Sequence, residues 1–226
     1  MYKYESDLTG KEKRQIEIEK LKKMTFPEKM SHMWAYHKLI LFLPLILIVL
    51  IAVIANMIEN NRYKTVLSIG VIDSAMFLST EDAAVALEEL LGIDNKYSQI
   101  MIDNSFVTNG GELTAESVQK FTVVTAAKGM DILITTKPVY ETYHDNGFFR
   151  ELTDIFSQEE LAAMNVVNNN AVDISGVANN EKFFGVKYDP AYFTVLVNVD
   201  LDEVDQDGVS KRDMIRHFFE RVYQNK

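Results

Sequence analysis

LILFLPLILIVLIAVIANMI, residues 39–58, holds no charged side chain over 20 positions, with Pro44 and Asn56 as its only interruptions. At ~1.5 Å rise per residue, such a helix reaches roughly 30 Å, about the hydrocarbon thickness of a bilayer. A helix satisfies its own backbone N–H and C=O groups, as lipid demands. Pro44 falls near the first turn, where a missing donor costs little. Core helices of soluble domains are rarely uncharged over so long a window. A cleaved signal fits poorly: the run begins only after 38 residues, exceeds the usual ~7–15, and ends at Ala55-Asn56-Met57 rather than at a small-x-small site. The chain has no cysteine. A lipid-modified Cys anchor, disulfides, thiolate metal sites and a Cys nucleophile are thereby excluded.

On the N-terminal side, residues 1–38 carry nine Lys or Arg against six acids, within a chain of net charge −10. Basic residues flanking a span stay in the cytoplasm, so the N-terminus is expected inside. Arg62 and Lys64 just beyond the span do not outweigh that cluster. Trp34, Tyr36 and Tyr63 suit the headgroup belts. The expected organisation is a cytoplasmic basic tail (1–38), a transmembrane helix (39–58), a connector (59–64) and an extracytoplasmic domain (65–226) at the cell membrane. Within the tail, Lys11–Met24 reads either as an amphipathic helix on the inner leaflet or as a partly disordered segment. The acidic outer part disfavours nucleic acid, whose phosphates it repels.

Beyond Lys64 the chain alternates. Thr65–Ile72 reads as a strand, Ser79 or Thr80 caps a helix with Ala84, Leu87 and Leu91 on one face, and Gly92 ends it. Tyr97–Ile102 is the next strand, and Gly110-Gly111 a turn. A helix over Ala115–Lys128, capped by Thr114, has Val118, Phe121 and Thr125 as its inner stripe; Gly129 closes it before the strand Met130–Thr135. A helix starts near Pro138 and ends near Asn146-Gly147, and Ser157 to Glu160 is a capping box. Ala171–Val177, Lys182–Tyr188 and Tyr192–Val199 read as strands, separated by turns at Asn179-Asn180 and Asp189-Pro190. Ser210 caps a last helix carrying Met214, Ile215, Phe218, Phe219 and Val222. The order β-α-β-α-β-α, then strands and a closing helix, predicts a three-layer α/β domain with a mainly parallel sheet and added antiparallel edge strands.

Ala126-Ala127-Lys128-Gly129, Asp131-Ile132-Leu133-Ile134, Tyr140 to Gly147 and Leu152-Thr153-Asp154-Ile155 resemble the N-terminal lobe of extracellular solute-binding proteins of ABC transporters. Tyr192–Asn198 and the final helix are similar to later parts of that pattern. Trp34-Ala35-Tyr36-His37-Lys38 is similar to the flank of small membrane-anchored proteins of low-GC Gram-positive bacteria, many of which carry reduced binding-protein-like domains. The resemblance implies a single-lobe relative of that family. The family's two lobes clamp ligand between them, whereas this chain has room for one.

In open α/β sheets, ligands sit beyond the carboxyl ends of strands. The candidate ligand-binding residues are therefore Asp73 and Ser74, Asn104 and Ser105, and Thr135, Thr136 and Lys137; ordinary polar loops and helix caps are the competing reading. The acidic run Asp200–Gly208 does not make an EF-hand: with Gly208 at the sixth position, Glu203 is first and Met214 twelfth, where a bidentate Glu is needed. His32, His37, His144 and His217 show no zinc-like spacing, and His144 is expected to cap carbonyls. No nucleophile-elbow, P-loop or dinucleotide motif occurs. No catalytic residue, metal or cofactor is expected. The expected partners are the bilayer, through residues 39–58, and a small solute or another membrane protein. A tethered extracytoplasmic binding module and a structural or assembly subunit both fit these features, and a hydrolase with an unrecognised site is the third reading.

Overall fold

The computed structural model describes residues 9–36, 38–76 and 78–224. His37 of the membrane-flank motif lies outside them. The chain forms two compact units, 1–61 and 62–226.

The first unit is helical: α1 (Gly10–Lys23), α2 (Phe26–Tyr36) and α3 (Lys38–Asn60). Thr9 and Glu12 form a capping box at the start of α1. At 100° per residue Ile16, Ile18 and Leu21 do not share a narrow face, and α1 buries no residue. Of the two readings for this stretch the helix is present, without an apolar stripe. Helix α3 contains the one span among the described residues that is long and apolar enough to cross a membrane, Phe42–Asn60, with none of it buried.

The second unit runs β1 (Lys64–Ile72), α4 (Thr80–Leu91), β2 (Ser98–Phe106), β3 (Thr108–Asn109), β4 (Glu112–Leu113), α5 (Ala115–Ala126), β5 (Ile132–Thr136), α6 (Lys137–His144), α7 (Gln158–Ala162), β6 (Val166–Val167), β7 (Ala171–Asp173), α8 (Ala178–Phe184), β8 (Ala191–Val195) and α9 (Lys211–Phe219). Six strands form one mixed sheet in the order β2-β1-β5-β8-β7-β6, and β3-β4 is a separate hairpin over Gly110-Gly111. Strand β1 pairs in parallel with both β2 and β5, because helical crossovers join them. Strands β8, β7 and β6 add on antiparallel. The parallel part is thus half the sheet, and the antiparallel part is more than an edge.

Every residue of β1 from Val66 to Ile72 is buried, as expected for a strand covered on both faces. Helix α4 contributes Ala83, Ala84, Leu87 and Leu91, and α9 contributes Met214, Ile215, Phe218 and Phe219. Phe121 of α5 packs edge-on against Phe106 and Tyr143. Caps set the helix starts: Ser79, Thr114, Ser157 and Ser210 each accept from a backbone N–H one turn on. Gly92, at φ 68°, ends α4.

Three sequence expectations are corrected. Lys182–Tyr188 is not a strand: Ala178–Phe184 is helical and Gly185 ends it in the left-handed region. Asn179-Asn180 is the first turn of that helix, where Asn180 Nδ2 donates to Ile174 O at 2.6 Å. Val118 is 40% exposed, and Ser117 takes its place inside α5.

Candidate functional site

The carboxyl ends of β1, β2 and β5 share one end of the sheet. Asp73, directly after β1, is held in the left-handed region at φ 49°. Its N–H donates to Phe106 O at 2.9 Å. Its carboxylate accepts from the Thr108 N–H at 2.7 Å and from the Thr108 hydroxyl. Ser74 donates its hydroxyl to the Phe184 carbonyl. Ala75 N–H donates to Gly185 O at 3.0 Å. A Cβ on Gly185 would lie 2.3 Å from Met76 N, so only glycine allows this approach. Tyr188 sits nearby; burial first, and then the Asp73 carboxylate, push its hydroxyl far above the usual phenol range. The Tyr188 hydroxyl faces Ile134 O at 3.4 Å.

Asn104 reaches the same loop, its Nδ2 standing 3.6 Å from Met76 Sδ. Ser105 belongs elsewhere. As its neighbour in an alternating strand it points to the other face, where its hydroxyl donates to Asp103 at 2.7 Å and contacts Lys120. At the end of β5, Thr135 is fully buried and donates to Thr136 O at 3.2 Å. Thr136 precedes α6, and its buried hydroxyl has no hydrogen-bond partner among the described residues. Lys137 is more than half exposed, 3.7 Å from Glu141.

The structure therefore gathers Asp73, Ser74 and Asn104 around one loop, places Thr135, Thr136 and Lys137 at the end of the adjacent strand, and sends Ser105 away. Sequence reading missed Thr108, Gly185 and Tyr188. Only Gly185 carried a local signal, a glycine closing an apolar run. Asp73 and Ser74 already have protein partners, so they hold the loop. Of the remaining groups, the Asn104 amide and the Lys137 ammonium reach the surface, whereas the Thr136 hydroxyl is buried.

No family model, curated protein or solved structure matches this chain.

Other polar clusters hold elements together. Lys211, at the first turn of α9, donates to Asp131 Oδ2 at 3.1 Å and to Val66 O at 2.9 Å, and Asp131 accepts from Ser68 N–H at 2.8 Å. Both side chains are over nine-tenths buried, so this pair pins α9 to β1 and to the start of β5. Burial holds the Asp131 carboxyl above its ordinary range against the pull of Lys211. His144 does not cap carbonyls as expected: its Nδ1 lies 2.8 Å from Asn170 Nδ2, and Tyr140 donates its hydroxyl to Asn170 Oδ1 at 2.6 Å. This set ties α6 to the β6–β7 turn. Asp205 caps its own turn by accepting from Asp207 and Val209 N–H at 2.9 and 2.8 Å. At the amino end of the parallel strands, an open groove of about 840 Å³ runs between the end of α4 and α9, lined by Leu91, Ile93 and Met214 with five carboxylates and Arg216 around them. A Ser–Lys dyad needs a free amine as base; beside Ser105, the Lys120 ammonium is engaged by Asp103 at 2.7 Å.

Proposed function

We propose that the chain is a single-pass membrane protein whose α/β domain, three-layered around the mixed sheet, lies outside the cell and works as a tethered binding or interaction module. The observation that carries this reading is α3. Its window Phe42–Asn60 is wholly unburied, whereas the 62–226 unit has a core of its own. Leucine and isoleucine left so exposed need an apolar solvent. Nine basic residues before the span set the orientation.

The resemblance to one lobe of a solute-binding protein favours a ligand or partner at this end of the sheet, through Asn104 and Lys137. A second reading, a structural or assembly subunit without a small-molecule ligand, draws on the partners that Asp73 and Ser74 already have within the fold. Thermal unfolding of the full chain in detergent against a metabolite panel separates the two. A ligand bound only by the folded state raises Tm, and Lys137→Ala with Asn104→Ala should weaken it. If no compound shifts Tm while a membrane protein co-purifies, the assembly reading replaces the solute reading. A bound ligand indifferent to both substitutions removes this site.

A further inference from the structure

Helix α2 stands immediately before α3, with one residue between Tyr36 and Lys38. Thr25 and Glu28 fix its start: the Glu28 carboxylate accepts from the Thr25 N–H and hydroxyl at 2.8 and 2.9 Å. Phe26, Met30 and Trp34 follow at i, i+4 and i+8, which puts them on one stripe. All three are exposed, at 77%, 45% and 53%. Glu28 and His32 fall on the opposite side at 100° per residue, and Lys29 and Ser31 fall at the two borders. The Trp34 ring meets Phe42 of α3 edge-on at 5.8 Å, so the stripe runs into the apolar surface of the span. Lys20, Lys22 and Lys23 close α1 just ahead of it.

We propose that α2 lies in the plane of the membrane surface, with Phe26, Met30 and Trp34 sunk at the boundary between headgroups and acyl chains, and Lys20, Lys22, Lys23 and Lys29 over anionic headgroups. The inference rests on the reading of α3 as the span. Continuity with α3 and the local positive charge select lipid as the occupant. An aromatic stripe flanked by lysines is the pattern of an interfacial helix. The helix then serves as a second contact with the bilayer and fixes the depth and rotation at which α3 enters.

Trp34 is the only tryptophan in the chain, so its emission reports α2 alone. The test uses the full chain in vesicles of phosphatidylcholine and phosphatidylglycerol. The wild type is compared with the double variant Phe26→Trp/Trp34→Phe, which moves the reporter eight residues, about 12 Å along the helix. Flotation, iodide quenching and quenching by lipids brominated near the headgroup or deep in the chain are read in both. The chain floats with the vesicles. Both reporters are quenched by iodide at least threefold less than free tryptophan, and both are quenched more by the shallow label than by the deep one. In phosphatidylcholine alone, protection at position 26 falls.

A chain that floats while the tryptophan placed at position 26 stays as open to iodide as the free amino acid overturns the inference and leaves the anchor standing. So does protection from iodide without quenching by either lipid, the sign of a second copy covering the stripe. Equal protection in both vesicle types removes the role given to the lysines. A chain that does not float overturns the anchor and this inference together.

Discussion

Helix α3 and strand β1 are built from the same kinds of residue and treat them in opposite ways. Leu43, Ile46, Ile48 and Ile51 of α3 are 58–64% exposed apart from their own helix neighbours, whereas Leu67, Ile69 and Val71 of β1 are fully buried. Burying an aliphatic side chain stabilises a fold by about 1.5–3 kcal/mol, and the C-terminal unit takes that gain from its own core. The N-terminal unit leaves it untaken. Placing α3 in lipid reconciles the two, because each unit then removes its apolar surface from water by a different route.

Arginine substitutions break that comparison most sharply. Leu47→Arg with Ile51→Arg puts two charges at the centre of α3, each costing roughly 2.5–3.5 kcal/mol of insertion. The doubly substituted chain is expected in the soluble fraction after ultracentrifugation, with the unfolding of the 62–226 unit unchanged. Leu133→Arg, in the buried strand β5, should do the reverse: no cooperative unfolding transition, with membrane association retained. If both substitutions act on the same property, the division into two units is wrong.

The buried ion pair is the next test. Removing Lys211 strands the Asp131 charge in the core, so Lys211→Met should lose about 3–5 kcal/mol in denaturant unfolding, and the Asp131→Leu/Lys211→Met pair should recover most of it. The Asp131 carboxyl sits above its ordinary 3.8 because burial outweighs Lys211. Its own titration therefore supports stability fully below that value and withdraws support as pH rises through the folded value. Asp131→Asn should abolish that decline. A loss under about 1 kcal/mol for Lys211→Met would contradict the burial described here.

Gly185→Ala tests the loop after β1. The added Cβ meets the Ala75–Met76 backbone at a positive φ, so a loss of about 1–3 kcal/mol is expected, and an unchanged denaturation midpoint would sink the close approach. Glu160→Gln has the smallest effect. Hydrogen bonds from Ser157, and then from Arg216, pull Glu160 from 4.5 to about 2. That stabilisation is complete above pH 4.5 and is lost as pH falls through about 2. The acid limb of the stability curve should flatten in the variant; Arg216 is 38% exposed, so the change is small.

The first half of the outer domain was legible because its signals are local. Caps at Ser79, Thr114 and Ser157, the left-handed Gly92, and apolar strands at Thr65 and Met130 all act within a few residues. Ala178–Phe184 was misread because Phe183 and Phe184 favour strands locally, while the approach of Gly185, where the helix ends, to Met76 is tertiary. The antiparallel half of the sheet was underestimated for the same reason, since β6 and β7 are two and three residues long. The strand-end rule placed Asp73 and Lys137 at the carboxyl ends of β1 and β5, where they lie in the structure. It could not reveal that Asp73 binds Thr108, or that alternation turns Ser105 toward Lys120. His144 was tied to a helix end in sequence, but its partner, Asn170, lies 26 residues away.

The crossing itself is tested most directly by cysteine labelling in intact cells, because the chain contains no native cysteine. Gln119→Cys lies on the exposed surface of α5 and Lys13→Cys on the exposed surface of α1. With a membrane-impermeant maleimide, the cysteine at position 119 should label in intact cells and the one at position 13 only after permeabilisation. Labelling in the opposite pattern, or of neither site until the cells are opened, would contradict the account.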